Sequence, residues 1–160
     1  MKLSVVILAA GKGSRMKSSK SKVLHALAGK PLLQHVIDNA KSLNPENIIV
    51  VYGHEGEQVQ AGVAGVDVWV AQHQQLGTGH AVLQALPSVP EHNRLLILYG
   101  DVPLNRQSTL SSLLSISKSH IAVLSVMAED PTGYGRIVRS EDGLGIEAIV
   151  EQKDATTPQL

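Results

Sequence analysis

Six consecutive apolar residues, Val5-Val6-Ile7-Leu8-Ala9-Ala10, set the tightest limit on the fold of this chain. The run is rich in β-branched residues and shows no polar/apolar alternation. It therefore reads as a strand, about Leu3–Leu8, buried on both faces. Strands of that kind belong to parallel sheets covered by helices on either side. Comparable runs recur at Asn47–Tyr52, Val66–Ala71, Arg94–Tyr99 and His120–Met127. Helical patterns lie between them. Pro31 suits the first position of a helix whose inner face carries Leu32, Leu33, Val36, Ile37 and Ala40, and Asn44-Pro45 stops it. A short helix is expected over Glu55–Ala61, a loop running into a helix over Gly77–Leu86, and a further helix over Ser108–Ser117. Two short strands, Arg136–Val138 and Ile146–Val150, are expected to pair across the Asp142-Gly143 turn region. The alternation is that of a layered α/β domain, and 160 residues suffice for one domain with a real core.

The segment after the first strand is chemically unusual. Lys12, Arg15, Lys17, Lys20 and Lys22 crowd a glycine-bearing turn, and no acid appears before Asp38. Seven of the fourteen Lys and Arg residues lie in the first thirty positions, although the formal net charge is zero. A basic loop launched from the end of a buried strand suits a polyanion such as a nucleoside triphosphate. From composition alone it is equally a solvated surface loop. Position favours the first reading, because ligands collect at the carboxyl ends of strands in open α/β sheets. The basic loop, the Gln72 segment and Asp101 each come directly after such an end.

Two familiar phosphate motifs are excluded. The dinucleotide fingerprint needs a glycine where Met16 stands, and a Walker A loop ending in Gly29-Lys30 needs one where Leu24 stands. Another pattern does match. Leu8-Ala9-Ala10-Gly11-Lys12-Gly13-Ser14-Arg15-Met16, then Lys22-Val23-Leu24 and Gly29-Lys30-Pro31-Leu32, resembles the signature of the sugar-phosphate nucleotidyltransferases. Four later stretches resemble motifs of the same family in the same order: Gln72–Ala81, Tyr99–Leu104, Asp130–Arg136 and Val150–Ala155. The set is most similar to the uridylyltransferase half of the family's bifunctional uridylyltransferase/acetyltransferase branch, and it covers nearly the whole chain.

The resemblance implies a Rossmann-like nucleotide-diphospho-sugar transferase fold: a mixed, mostly parallel central sheet with helices on both faces. It implies transfer of uridylyl from UTP to N-acetylglucosamine-1-phosphate, dependent on Mg²⁺, in the cytoplasm. Arg15 and Lys22 would stabilise charge in the transition state. Leu8, Ala9, Ala10, Gly11, Lys12, Gln72, Gly77, Thr78, Tyr99, Gly100, Gly135 and Glu151 would bind substrate, and Asp101 would hold the metal. Read from the residues alone, Asp101 is also a turn-capping aspartate and Glu151 also a surface residue. The chemistry is consistent with the residue inventory. Two anions must be brought together, so cations and positioning are needed rather than a covalent nucleophile. The chain has no cysteine and no nucleophile-elbow motif.

The match departs at two points. Ser21 stands where the family usually has proline, which leaves the turn before Lys22 freer. The family also places a second sugar-contacting asparagine and a second metal-binding asparagine beyond the matched segment, and then a left-handed β-helix acetyltransferase domain. The chain is therefore expected to be the first part of such an enzyme, C-terminally incomplete and inclined to self-associate. The different-class alternative is a non-catalytic nucleotide-binding module. A related transferase with another base or sugar is the alternative among enzymes.

Other classes are excluded or disfavoured. Zero net charge argues against bulk nucleic-acid or membrane-surface binding, and no run approaches the ~20 apolar residues of a membrane span. The absence of cysteine removes disulfides and thiolate metal sites. The seven histidines show no zinc spacing; His25, His73 and His80 are expected to bond locally in the site walls, and Trp69 to sit in the core or at an edge.

Overall fold

A computed structural model describes residues 1–11, 18, 20–53, 56–117, 120–143 and 145–159. The apolar runs form one parallel sheet. Its strands are β1 (Leu3–Ala9), β4 (Asn47–Tyr52), β5 (Val68–Ala71) and β6 (Arg94–Tyr99), in the order β5-β4-β1-β6. β1 runs between β4 and β6, with Leu8 opposite Val51 on one side and Tyr99 on the other. The first strand is thus interior, as its continuous apolarity requires. All four carboxyl ends lie along one edge.

Side chains alternate between the two faces, and each face has its own cover. Val5, Ile7 and Ala9 of β1 pack with Leu33, Val36, Ile37 and Ala40 of α1 (Leu32–Lys41), Val59 of α2 (Gly56–Gly62) and Leu110 of α4 (Gln107–Ile116). Val6, Leu8 and Ala10 pack on the opposite side with Ala81 and Ala85 of α3 (Thr78–Ala85). Helices therefore cover both faces, as expected. The sheet is parallel throughout rather than mixed; antiparallel pairing is confined to two small ribbons elsewhere among the described residues.

The first ribbon joins β2 (Ala26–Leu27) to β3 (Lys30–Pro31). Its two turn residues, Ala28 (φ 50°) and Gly29 (φ 80°), are both left-handed, as a two-residue hairpin demands. Pro31 then caps α1 from one position outside the helix, and Asn44 (φ 54°) with Pro45 ends the segment beyond it. At the start of β6, the Arg94 guanidinium donates to the Leu114 carbonyl and to Ser117 Oγ, which ties the end of α4 to the sheet.

The chain divides into two compact units, Met1–Lys118 and Ser119–Leu160. The second contains an antiparallel hairpin of β7 (Arg136–Arg139) and β8 (Ile146–Val150), with a register shift between Val138 and Arg139. These strands were legible in the sequence. The strand expected over His120–Met127 is not formed: residues 121–127 carry no ladder partner among the described residues. Apolar β-branched composition gives a segment the capacity to pair, but only a partner strand makes it a strand.

Candidate active site

Three strand ends and one helix start enclose a cleft of about 650 Å³ at the carboxyl edge of the sheet. One wall is the end of β1, Leu8 to Gly11. The facing wall is the turn after β5 and the start of α3, contributed by Gln72, Gln75, Gly77, Thr78 and Ala81. Tyr99 and Asp101 after β6, with Lys22 and Val23, complete the lining.

Each of these side chains is positioned for an identifiable reason. Lys22 opens a short 3-10 turn in which Val23 and Leu24 are buried, so the packing of its two neighbours sets its direction. Ser21 precedes it with φ −52° and ψ 136°, inside the range a proline ring imposes. The turn before Lys22 thus already has the geometry that the serine was expected to loosen. Asp101 sits in a tight turn: Val102 N–H donates to the Tyr99 carbonyl (3.2 Å) and Gly100 N–H to the Leu8 carbonyl (2.9 Å). Asn39 of α1 holds the segment beyond it through the Pro103 and Asn105 carbonyls, at 3.3 and 2.7 Å.

The central electrostatic feature is the contact between these two groups. Lys22 Nζ donates to Asp101 Oδ2 at 2.6 Å, across 79 positions of sequence. Both side chains remain about a third exposed or more, so each can exchange the other for a ligand. Among the described residues, Asp101 is the one carboxylate lining the cleft, and no group of three or more His, Asp or Glu side chains could hold a metal ion. A donor set of one carboxylate is not a protein cage. It fits an ion that brings most of its oxygen ligands with it, as Mg²⁺ does on a triphosphate.

The turn from Gln72 to Gly77 is folded around one carboxamide. Gln72 is buried; its backbone N–H donates to the Tyr52 carbonyl at 2.8 Å. Its Nε2 lies 3.1 Å from the Gly77 carbonyl and 3.0 Å from His80 Nδ1. That commits the donor side of the amide and leaves Oε1 as its acceptor for a ligand. Gly77 precedes α3 with φ 100° and ψ 177°, a conformation open essentially to glycine alone. The N-terminus of α3 therefore opens on the cleft with backbone N–H groups and the positive end of its dipole.

Of the expected site residues, Leu8, Ala9, Ala10, Gly11, Lys22, Gln72, Gly77, Thr78, Tyr99 and Asp101 come together here. Gly100 does not line the cleft. It is buried behind it, where an added Cβ would stand 3.2 Å from the Leu8 carbonyl and from Leu33 Cδ1. Lys12 and Arg15 lie outside the described residues. Gly135 and Glu151 belong to the second unit, where they flank one end of the hairpin: Arg136 pairs with Val150, next to each of them. His80 bonds locally as expected, whereas His25 Nε2 is buried with no hydrogen-bond partner among the described residues. Trp69 packs edge-on against Tyr52, with ring centroids 6.1 Å apart.

Sequence reasoning missed Gln75, Val23, Ala81 and Gly53. Gln75 stands inside a recognisable motif, but its bond to the Ala10 carbonyl (2.6 Å) joins residues 65 apart. Gly53 comes directly after β4, and a Cβ there would lie 2.8 Å from both Ala10 O and Gln75 Nε2.

A parallel α/β sheet with a glycine-bearing cleft at its carboxyl edge defines a nucleotide-handling class of domain, and comparison gives the family. Residues 5–141 match the MobA-like NTP transferase domain, and the chain belongs to that family of nucleotidyltransferases. It is 56% identical over its whole length to the bifunctional protein GlmU of Alcanivorax borkumensis, and 57% identical over 98% of its length to that of Marinobacter nauticus. It spans about 35% of the length of those relatives. Among solved structures, a UDP-glucose pyrophosphorylase complexed with UDP-glucose superposes with a TM-score of 0.72 at 22% identity, covering 97% of this chain and 72% of the other. That likeness concerns the fold, and it agrees with the Rossmann-like architecture.

Proposed function

We propose that the chain transfers a uridylyl group from UTP to N-acetylglucosamine-1-phosphate, giving UDP-N-acetylglucosamine and pyrophosphate. The observation that carries the reading is the meeting of Lys22, Asp101 and the Gln72–Thr78 turn around one cleft. The motif resemblance and the identity to the GlmU proteins support it.

A sugar-phosphate oxygen, already ionised at neutral pH, attacks the α-phosphorus of UTP. As that O–P bond forms, the bond to the bridging oxygen breaks, and pyrophosphate leaves with the electron pair. No general base and no covalent intermediate are required. The barrier is mutual repulsion, which cations and alignment overcome. Lys22 turns from Asp101 to the phosphates as a point charge, and Arg15 and Lys12 of the basic segment add to it. Asp101, released from Lys22, is the residue that would hold Mg²⁺, and the ion would supply charge neutralisation for the phosphates. By resemblance, Gly135 and Glu151 are assigned to sugar recognition, Glu151 as an acceptor of hydrogen bonds from sugar hydroxyls. UTP supply assigns the reaction to the cytoplasm.

Base choice follows from Gln72. With Nε2 already engaged, Oε1 accepts the N3–H of uracil, while backbone N–H groups near Gly77 and Thr78 face a uracil carbonyl. Cytosine carries an acceptor at N3, which would oppose Oε1. UTP is therefore expected to bind at least about tenfold more tightly than CTP, the scale set by leaving a buried polar group unpaired. Calorimetric titration of both nucleotides in one Mg²⁺ buffer tests this, and equal affinities would sink the uracil assignment. A pyrophosphate-release assay with N-acetylglucosamine-1-phosphate tests turnover; tight UTP binding without release would favour the non-catalytic nucleotide-binding module.

A further inference from the structure

We infer that Gln75 is a positioning residue that sets the width of the base slot, and through it the discrimination of pyrimidine from purine nucleotides. The inference rests on the nucleotide-binding reading of the cleft and deepens it. Ala10 and Gly11 stand on one wall, Gln72, Gly77 and Thr78 on the other. The Gln75 side chain ties the two walls together, its Nε2 donating to the Ala10 carbonyl at 2.6 Å.

The tether is held from a third direction. Gly53, at the end of β4, packs so closely that an added Cβ would stand 2.8 Å from the Ala10 oxygen and 2.8 Å from Gln75 Nε2. Contacts that short are not tolerated in a close-packed interior, so any side chain at position 53 would displace the bond. The ends of β1, β4 and the turn after β5 thus converge on one hydrogen bond. The rest of the turn is fixed independently, by Gln72 N–H on the Tyr52 carbonyl and Gln72 Nε2 on Gly77. Loss of the Gln75 bond therefore leaves the turn folded. It releases the Ala10 carbonyl, close before the basic segment, and leaves the packing of Ala10 on Ala81 to hold the two walls together, so the slot widens. A slot so widened then admits a double ring more readily than the parent's does.

The test uses the whole chain and measures dissociation constants for Mg-UTP and Mg-GTP by calorimetry, with thermal melts alongside. Gln75→Leu keeps the side-chain bulk and removes the donor. Gln75→Glu keeps the shape and sets a carboxylate against the Ala10 carbonyl. Gly53→Ala breaks the tether from a residue that does not line the cleft. All three are expected to lower the UTP-to-GTP affinity ratio by roughly three- to tenfold, the range of one hydrogen bond, with Gln75→Glu the largest. A ratio unchanged in both Gln75 variants, with the parent still preferring UTP, overturns the inference alone. A lower melting temperature with an unchanged ratio also overturns it, since that is the mark of a purely structural bond. A parent with no UTP preference overturns the uridylyl reading, and the inference falls with it.

Discussion

Lys22 and Asp101 show how much a residue's partner matters. Each was legible in the sequence as a charged group beyond a buried strand, and the resemblance supplied their roles. Their 2.6 Å contact was not legible, because the two lie 79 positions apart. Under the proposed uridylyl transfer, Lys22→Ala should lower the rate at least about a hundredfold, as expected for removing one preorganised charge from such a site. It should shift stability by less than about 1 kcal/mol, because the ion pair is partly exposed and screened by solvent. Steady-state kinetics and urea unfolding of the same variant check both halves. Ser21 makes the opposite point. Its backbone sits at φ −52°. Ser21→Pro should therefore raise stability by about 0.4–1 kcal/mol by restricting the unfolded chain, without loss of nucleotide affinity. A melting temperature that falls would show that the Ser21 N–H or the residue before it matters more than the φ angle. Gln75 and Gly53 were illegible because their roles are contacts with a backbone carbonyl, which no side-chain pattern records.

At the scale of elements, continuous apolar runs identified β1, β4 and β6 almost to the residue; β1 and β4 are buried on both faces, whereas β6, at the sheet edge, exposes Ile97 and Tyr99. β5 is shorter than expected, beginning at Val68 rather than Val66, as suits an edge strand with one ladder partner. Residues 121–127 have the right composition and no strand. The β7–β8 hairpin is a two-stranded sheet; two strands alone are marginal in water, and Ile146 and Ile149 are exposed. Hydrogen exchange should reflect this order. Amides of β1 and β4 should be the slowest to exchange, whereas those of β7 and β8 should exchange at least about tenfold faster. Uniform protection through Val150 would show that the hairpin is as firmly held as the sheet.

For the molecule as a whole, one long-range staple could not be foreseen from the distribution of charge along the chain. Lys2 Nζ meets Glu46 Oε1 at 2.5 Å, and Glu46 N–H donates to the Leu3 carbonyl at 2.7 Å, closing the amino end of β1 onto β4. The bonds from Lys2 and then Asn93 hold the Glu46 carboxyl below its usual range. A depressed carboxylate contributes stability that is present above its unfolded pKa, about 4.3, and is lost as pH falls through the lower folded value. The stability gap between the parent and Glu46→Gln should therefore be open at about pH 6 and close below about pH 4, and it should narrow in high salt. Urea midpoints measured across that acid range check this; a gap that widens on acidification would refute it.

The strand order has a consequence in time. β1 leaves the ribosome before the other strands of its sheet, yet its second flank is filled only by Arg94–Tyr99, whose first residue pairs with Leu3. At ordinary synthesis speeds that separation, roughly 90 residues, is a wait of about 5 to 18 s. Through that interval the most apolar strand has one side unpaired. The cleft shares the delay, because Asp101 lies beyond the last strand of that sheet to arrive. A nascent chain that stops short of Asp101 lacks the carboxylate that meets Lys22, so the contact that spans the cleft closes only once the sheet is complete.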